Sequence, residues 1–359
     1  MLAAMHSHPT PLNDDPLIPA PGTRLTGMAL GIDVGGTGVK AALVNLATAE
    51  LLSNRVREKT PQPSRPDAVA ATIKSVIDRI VAENDIPPDV PVGCGLPGVV
   101  HDGRLTTAAN IDPGWVGWPA EHKIGEAIGR KVMIINDADA AGLAEVAFGA
   151  AENVAGTVLL LTLGTGIGSG LFLDGALVPN TELGHIEVHG RDAETRLSGA
   201  SRERRRIGWR VWAREFDFYL SHLELYLQPD LIILGGGVSK EMAKFGRFLH
   251  ARAPIVTATY LNTSGIIGAA YAAAAAQRLL RVQGQAQGRH RVVAGDPGTF
   301  GHSLDAGQHG AAGARGRAHA DDPQAAPERP DALAEPPADA LPPAGDGAAG
   351  DADRPAESS

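Results

Sequence analysis

Apolar positions along the chain switch between a two-residue and a helical period, and the switch points mark its elements. Residues 28–34 form an apolar run that ends at Asp33, and VKAALVNL (39–46) and 51–56 continue it as strands. That pattern predicts an antiparallel meander. In PQPSRPDAVAATIKSVIDRIVAEN, Val69, Ile73, Val76, Ile77 and Ile80 recur at helical spacing, between Ser64 and Pro66 at the start and Pro87-Pro88 past the end. A strand over 91–95 runs into a Gly/Asn/Pro-rich loop holding Asn110, Trp115 and Trp118. A short helix (120–128) leads to the strand KVMII (131–135), which stops at Asn136-Asp137. A helix over 138–148 follows, closed by Gly149 as a C′ residue.

The second half restarts the pattern. Strands over 157–163 and 169–173 flank a glycine loop, and Asp174-Gly175 reads as a hairpin turn. A helix over roughly 207–227 places Trp212, Phe216, Tyr219, Leu223 and Tyr226 on one stripe, which reads as core. PDLIILGGGVS (229–239) is a strand ending in three glycines, then come a strand (254–260) and a small-residue helix (265–276). Two halves of this kind imply an α/β protein of two similar domains with a cleft between them.

Composition narrows the folded part. Residues 1–27 are Pro-rich without periodicity, and residues from about 282 onward carry almost no large apolar side chains, so both ends are expected to be disordered. No stretch reads as a secretory signal or a membrane span, and Cys94 is the one cysteine, which fits a cytoplasmic protein without disulfides or a Cys-cluster zinc site. A net charge of −9 argues against nucleic acid as a partner. The basic run Arg202 to Arg206, with Arg210 and Arg214 beyond, reads either as a solvated helix start or as a landing surface for a polyanionic substrate.

Chemistry concentrates at strand ends. Asp33 precedes Gly35, Gly36 and Thr37, with Lys40 beyond: a loop of backbone N–H groups able to cradle phosphate, and a carboxylate able to hold Mg²⁺ directly or through water. Gly164, Thr165, Gly166 and Gly168 form a second such loop, and Gly235, Gly236 and Gly237 a third approach to phosphates or a nucleotide. Each alone also reads as a plain turn; two strand-launched loops together point to one phosphate chain gripped from two sides. Asn136 and Asp137 end a strand where open α/β sheets expose reactive groups. Asp137 there can accept a proton from a substrate hydroxyl, or merely cap the next helix, with Asp139 its rival. Glu182, His185 and Glu187 share one loop with Gly184; such density suits sugar hydroxyls better than zinc, whose ligand spacing it does not match. Asn110 can supply another hydroxyl contact.

DVGGTGVK, GLPGVV, NDADAAGLAE, LTLGTGIGSG, TELGHIEV and DLIILGGGVS, in this order, resemble the ROK sugar kinases of the actin/hexokinase-like ATPase class, over residues 28–276. TPQPSRPDAVAATI, TAANID and PNTELGHIEV are most similar to the bacterial polyphosphate glucokinase branch. The segment after Glu187 has no cysteine, unlike the zinc-bearing members, which agrees with that branch. The resemblance implies two actin-like (ribonuclease H-like) domains, 28–137 plus 265–281 and 138–264. It implies glucose as acceptor, held by Asn110, Asn136, Asp137, Glu182, His185 and Glu187, with Asp137 as catalytic base. Polyphosphate, ATP or both would be the donor, with Mg²⁺ as cofactor, in a homodimer. A strictly ATP-dependent hexokinase, a non-catalytic ROK-type sugar sensor and an actin/Hsp70-like ATPase are the competing readings; the short 1–27 segment does not read as the helix-turn-helix such sensors carry.

Overall fold

A computed structural model describes residues 25–293. Strands β1 (Met28–Gly35), β2 (Gly38–Asn45) and β3 (Val56–Glu58) form the expected meander, followed by α1 (Pro66–Glu83), β4 (Val92–Leu96), the small hairpin β5 (Val100–His101) and β6 (Arg104–Leu105), α2 (Ala120–Ile128), β7 (Met133–Asn136) and α3 (Asp137–Phe148). The second half holds β8 (Thr157–Leu163), β9 (Ile167–Leu173), β10 (Ala176–Val178), β11 (Glu187–Val188), β12 (Arg191–Asp192), α4 (Ala193–Leu197), α5 (Gly199–Arg205) and α6 (Trp209–Leu227). It ends with β13 (Leu231–Gly235), α7 (Gly236–Ser239), α8 (Met242–Phe245), β14 (Ile255–Thr257) and α9 (Ser264–Val293).

The two main sheets have the same topology. Their orders are β3-β2-β1-β4-β7 and β10-β9-β8-β13-β14, each an antiparallel hairpin continued by parallel strands. Period-two alternation assigns the faces. Leu30, Ile32 and Val34 of β1 pack with α1 and α2 in one core, whereas Ala29 packs with α3 and α9 in another, which also takes Val158, Leu160 and Phe172 from the second sheet. A third core joins the far face of that sheet to Trp212, Phe216 and Tyr219 of α6. Thus α3 and α9 lie between the sheets, in contact with each other. Glycines make this approach possible: a methyl group at Gly31 or Gly93 would collide with the α9 carbonyls of Ile266 and Ala269.

Several expectations shift. The strand expected over 51–56 is displaced: Leu51 makes only a bridge to Val44, because Ser53 accepts the Leu43 N–H through its side chain, and pairing resumes at Val56. Tyr226 keeps the spacing of the α6 stripe but is 75% exposed, because it stands in the last turn of the helix, where the core no longer covers it. Gly149 is not left-handed (φ −123°); its place is fixed by the Glu145 carboxylate, which a side chain there would strike. The fold begins earlier than 28, with Leu25 buried, and the last helix runs to Val293, past the helix end expected at 276 and the end of the folded part expected at 281. The remaining terminal segments expected to be disordered lie outside the described residues.

Candidate active site

One cleft between the sheets, about 340 Å³, gathers most of the singled-out residues and falls within the usual size range of small-molecule sites. Its first wall is the β1–β2 turn: Asp33, Gly35, Gly36, Thr37 and Lys40. Asp33 shares the β1 face with Ala29 and Gly31, and α9 begins beside it at Ser264 and Gly265, so the carboxylate stands where the covering helix stops. Lys40 is its register partner on β2 and closes a 2.6 Å ion pair with it. The second wall is the β8–β9 turn, with Gly164, Thr165, Gly166 and Gly168, and Gly236 and Gly237 complete that side. Gly235 is not part of the lining; it ends β13 and packs near Thr162 and Ala258.

The floor is the start of α3. Asn136, not Asp137, caps that helix, accepting the N–H groups of Ala138 and Asp139 at 2.9 and 3.0 Å, while its Nδ2 donates to Gly98 O at 3.1 Å. Capping is therefore not what Asp137 is for, and its carboxylate is left facing the cleft. Its pKa is pushed up to about 7, first by burial and then by the field of Asp33, with Glu182 adding to it and the Ala138 N–H working against it. Asp139 is buried behind the floor and also raised to about 7, chiefly by burial. Its Oδ2 accepts the Asn180 N–H at 2.8 Å, and among the described residues its Oδ1 has no hydrogen-bond partner. Asn180 in turn clasps Val100 through both ends of its amide, so Asp139 anchors the loop that leads into Glu182 rather than facing the cleft.

The third wall carries Glu182, His185, Asn110 and Glu194. Glu187 is absent from it: it starts β11, exposed, while its strand neighbour Val188 turns into the core. Glu194, overlooked in the sequence, lies in the first turn of α4. It accepts Asn110 Nδ2 at 3.0 Å across the cleft and the Ile167 N–H at 2.8 Å. Asp192 organises this wall through one carboxylate. Its Oδ1 caps α4 by accepting the Thr195 N–H, and its Oδ2 accepts His185 Nδ1–H at 2.7 Å, turning Nε2 toward Glu182 at 3.6 Å. Burial disfavours the imidazolium, but the Asp192 hydrogen bond and the fields of Glu194, Asp192 and Glu182 outweigh it and raise the His185 pKa. Burial raises Glu182 as well. Asp192 was overlooked in the sequence as well; an Asp at the N-cap position ahead of a short helix is the local signal that could have found it.

The basic run lies outside this lining and ends α5 rather than starting a helix. Arg202 stacks 4.0 Å over Trp209, Arg204 donates to Thr195 O, and Arg205 with Arg196 grips Glu215, whose pKa falls to about 2. Much of its hydrogen-bonding capacity is thus turned inward.

The sequence profile of the ROK family matches residues 29–202. A polyphosphate glucokinase of Mycobacterium tuberculosis is 44% identical over 256 residues, 71% of this chain and 94% of the relative. The chain belongs to the ROK family. Among solved structures, the inorganic polyphosphate/ATP-glucomannokinase of Arthrobacter sp. strain KM superposes with a TM-score of 0.64 at 42% identity, covering 71% of this chain and all of that one. The ROK family glucokinase of Streptomyces griseus, solved with glucose and AMPPNP, gives 0.59 at 26% identity over 69% and 99% of the two chains. The two sheets with their central cleft are accordingly the halves of an actin-like ATPase fold.

Proposed function

We propose that this cleft transfers a phosphoryl group from inorganic polyphosphate or ATP to the 6-hydroxyl of glucose. The observation that carries the reading is the placement of Asp137, a carboxylate with a pKa near 7 at the floor between two phosphate-type turns and a wall of hydroxyl-binding side chains. A base poised near neutral pH can take the hydroxyl proton as that oxygen attacks phosphorus. Glu182, His185, Glu194 and Asn110 orient the sugar, each matched to a hydroxyl as donor or acceptor. Asn136, which also lines the cleft, has both ends of its amide engaged and so fixes the start of α3 that carries Asp137. The turns at Gly36-Thr37 and Gly164-Thr165 hold the donor phosphates from opposite sides, with Lys40 offering a cation to them.

The donor set suits Mg²⁺ in particular. Among the described residues no group of three His, Cys, Asp or Glu side chains forms a protein cage, and Asp33 is one carboxylate beside a phosphate-type turn. Mg²⁺ typically binds through one or two carboxylates together with substrate phosphates and waters. Held by Asp33 directly or through water, it would neutralise charge on the transferring phosphoryl group. The same reading takes residues 28–137 with 265–281 and residues 138–264 as the two domains, in a cytoplasmic homodimer. The names of the Mycobacterium and Arthrobacter relatives support polyphosphate as donor, and the glucose and AMPPNP complex of the Streptomyces enzyme supports a shared sugar and nucleotide cleft.

The test is glucose 6-phosphate formation by the purified chain with polyphosphate or ATP as sole donor, with and without Mg²⁺. Product from both donors, dependent on the metal, is expected. Product from ATP alone would remove polyphosphate from the reading, and product from neither would overturn it.

A further inference from the structure

We propose that Arg57 on β3, flanked by Arg55 and Lys59 at the ends of that strand, forms a distal donor site that holds the part of a linear inorganic polyphosphate chain extending out of the cleft. This rests on the reading of polyphosphate as a donor. The strand register carries the argument. Asp33 pairs with Lys40, and Lys40 with Arg57, so the three stand in one row across β1, β2 and β3. Side chains paired across strands share a face and neighbouring strands lie about 4.8 Å apart, so Arg57 is the next cation outward from the Asp33–Lys40 pair.

The opposite face confirms the alternation. Val56 is buried in the α1 core, and Glu58 turns toward α1, accepting from Ser75 at 2.7 Å and facing Arg79 at 3.6 Å. Arg55, Arg57 and Lys59 are thereby left exposed on the other face of the edge strand. Among the described residues neither Arg55 nor Lys59 has a salt-bridge partner, in contrast to Arg196 and Arg205 at the other basic cluster. The guanidinium of Arg57 is held against the phosphate turn itself. Its Nη2 donates to Thr37 O at 3.2 Å, and it lies over Gly38, where a side-chain carbon would stand 2.8 Å from Nε. Glycine at 38 therefore leaves the room that Arg57 occupies.

Thr60 and Gln62 donate to the two preceding carbonyls, Gly35 O at 2.6 Å and Gly36 O at 3.3 Å. In a trans peptide the C=O and the following N–H point in opposite directions, so Thr60 and Gln62 orient the Gly36 and Thr37 N–H groups away from themselves. Arg57 lies outside the cleft lining, and a chain that leaves the cleft past Lys40 along the row reaches Arg57 next. A nucleoside triphosphate has no further phosphates to reach that strip, whereas a long chain does, and a guanidinium suits successive phosphate oxygens.

The experiment compares KM for long-chain polyphosphate, tripolyphosphate and ATP in the full-length chain and in two variants, Arg57→Gln and the pair Arg55→Gln with Lys59→Gln. In the unaltered protein, KM is expected to fall as the chain lengthens and to rise with salt. In Arg57→Gln, KM for the long chain should rise about tenfold or more and KM for ATP less than about threefold. The pair should raise only the long-chain KM, by a few fold. Equal shifts for both donors would show that Arg57 merely braces the Thr37 turn and would overturn the distal site, as would an unchanged long-chain KM in both variants. An unaltered protein that uses ATP but no polyphosphate would instead refute the donor reading on which the site rests.

Discussion

Across the first cleft-facing hairpin, the row of paired residues behind the turn reads Asp33, Lys40 and Arg57; behind the second turn, the pair reads Thr162 and Gly168. The two hairpins occupy equivalent places in sheets of the same order, and both turns line one cleft. One hairpin thus supplies charge and the other supplies shape. The asymmetry has a physical reason. Asp33 already raises the pKa of Asp137, and a second carboxylate on the facing hairpin would hold the base protonated at neutral pH. A neutral, glycine-rich turn would let phosphates approach closely without adding that field.

The comparison breaks most visibly at the base both hairpins serve. Asp137→Asn should lower kcat by about 10²–10⁴-fold, while glucose affinity measured calorimetrically changes by less than about threefold. The same substitution should stabilise the ligand-free fold. A carboxyl whose folded pKa is raised from 3.8 to about 7 favours the native state below its unfolded pKa and loses that contribution as pH rises through about 7. Removing the charge should therefore raise Tm at pH 8 by a few degrees in scanning calorimetry.

Asp33→Asn removes the charge that distinguishes the first hairpin. Turnover should fall by about 10²–10³-fold, the scale of losing one electrostatic group at a transferring centre. The pH profile separates this from a folding defect. In the unaltered chain, kcat/KM for glucose should rise with pH through about 7 as Asp137 ionises, and in Asp33→Asn that rise should shift to lower pH.

On the sugar wall, Asp192→Asn keeps the α4 cap but removes the charge beside His185. KM for glucose should increase about tenfold, and the His185 imidazole, followed by NMR, should titrate at lower pH than in the unaltered chain. The smallest effect belongs to the neutral hairpin. Thr165→Ala should raise donor KM by a few fold, the value of one hydrogen bond, and leave the pH profile where it is.

Legibility in the sequence followed the same divide. Strand-launched glycine turns, the Asp33 and Asp137 strand ends and the stripe of α1 were readable because local periodicity and turn chemistry specify them. So were the two halves, and with them the cleft. Long-range partners were not. Glu194 reaches the cleft only because β11 and β12 fold back and α4 starts there, and Glu187 leaves it because the strand parity places Val188 inward. Nothing local separates these two glutamates. Asn136 as the cap of α3 was obscured by two neighbours, Asp137 and Asp139, that cap helices equally well. The role of Arg57 needs the β2–β3 register, which a single sequence leaves open when the connecting segment bulges at Ser53.

The central claim is that both turns grip one phosphate chain while Asp137 receives the sugar proton. A crystal structure of the chain with glucose and a non-hydrolysable donor tests it directly. The account predicts the glucose 6-hydroxyl about 2.6–3.2 Å from the Asp137 carboxylate, with the terminal phosphate touching backbone N–H groups of both the Gly36-Thr37 and the Gly164-Thr165 turns. A sugar whose 6-hydroxyl points away from Asp137, or a terminal phosphate held by one turn alone, would contradict it.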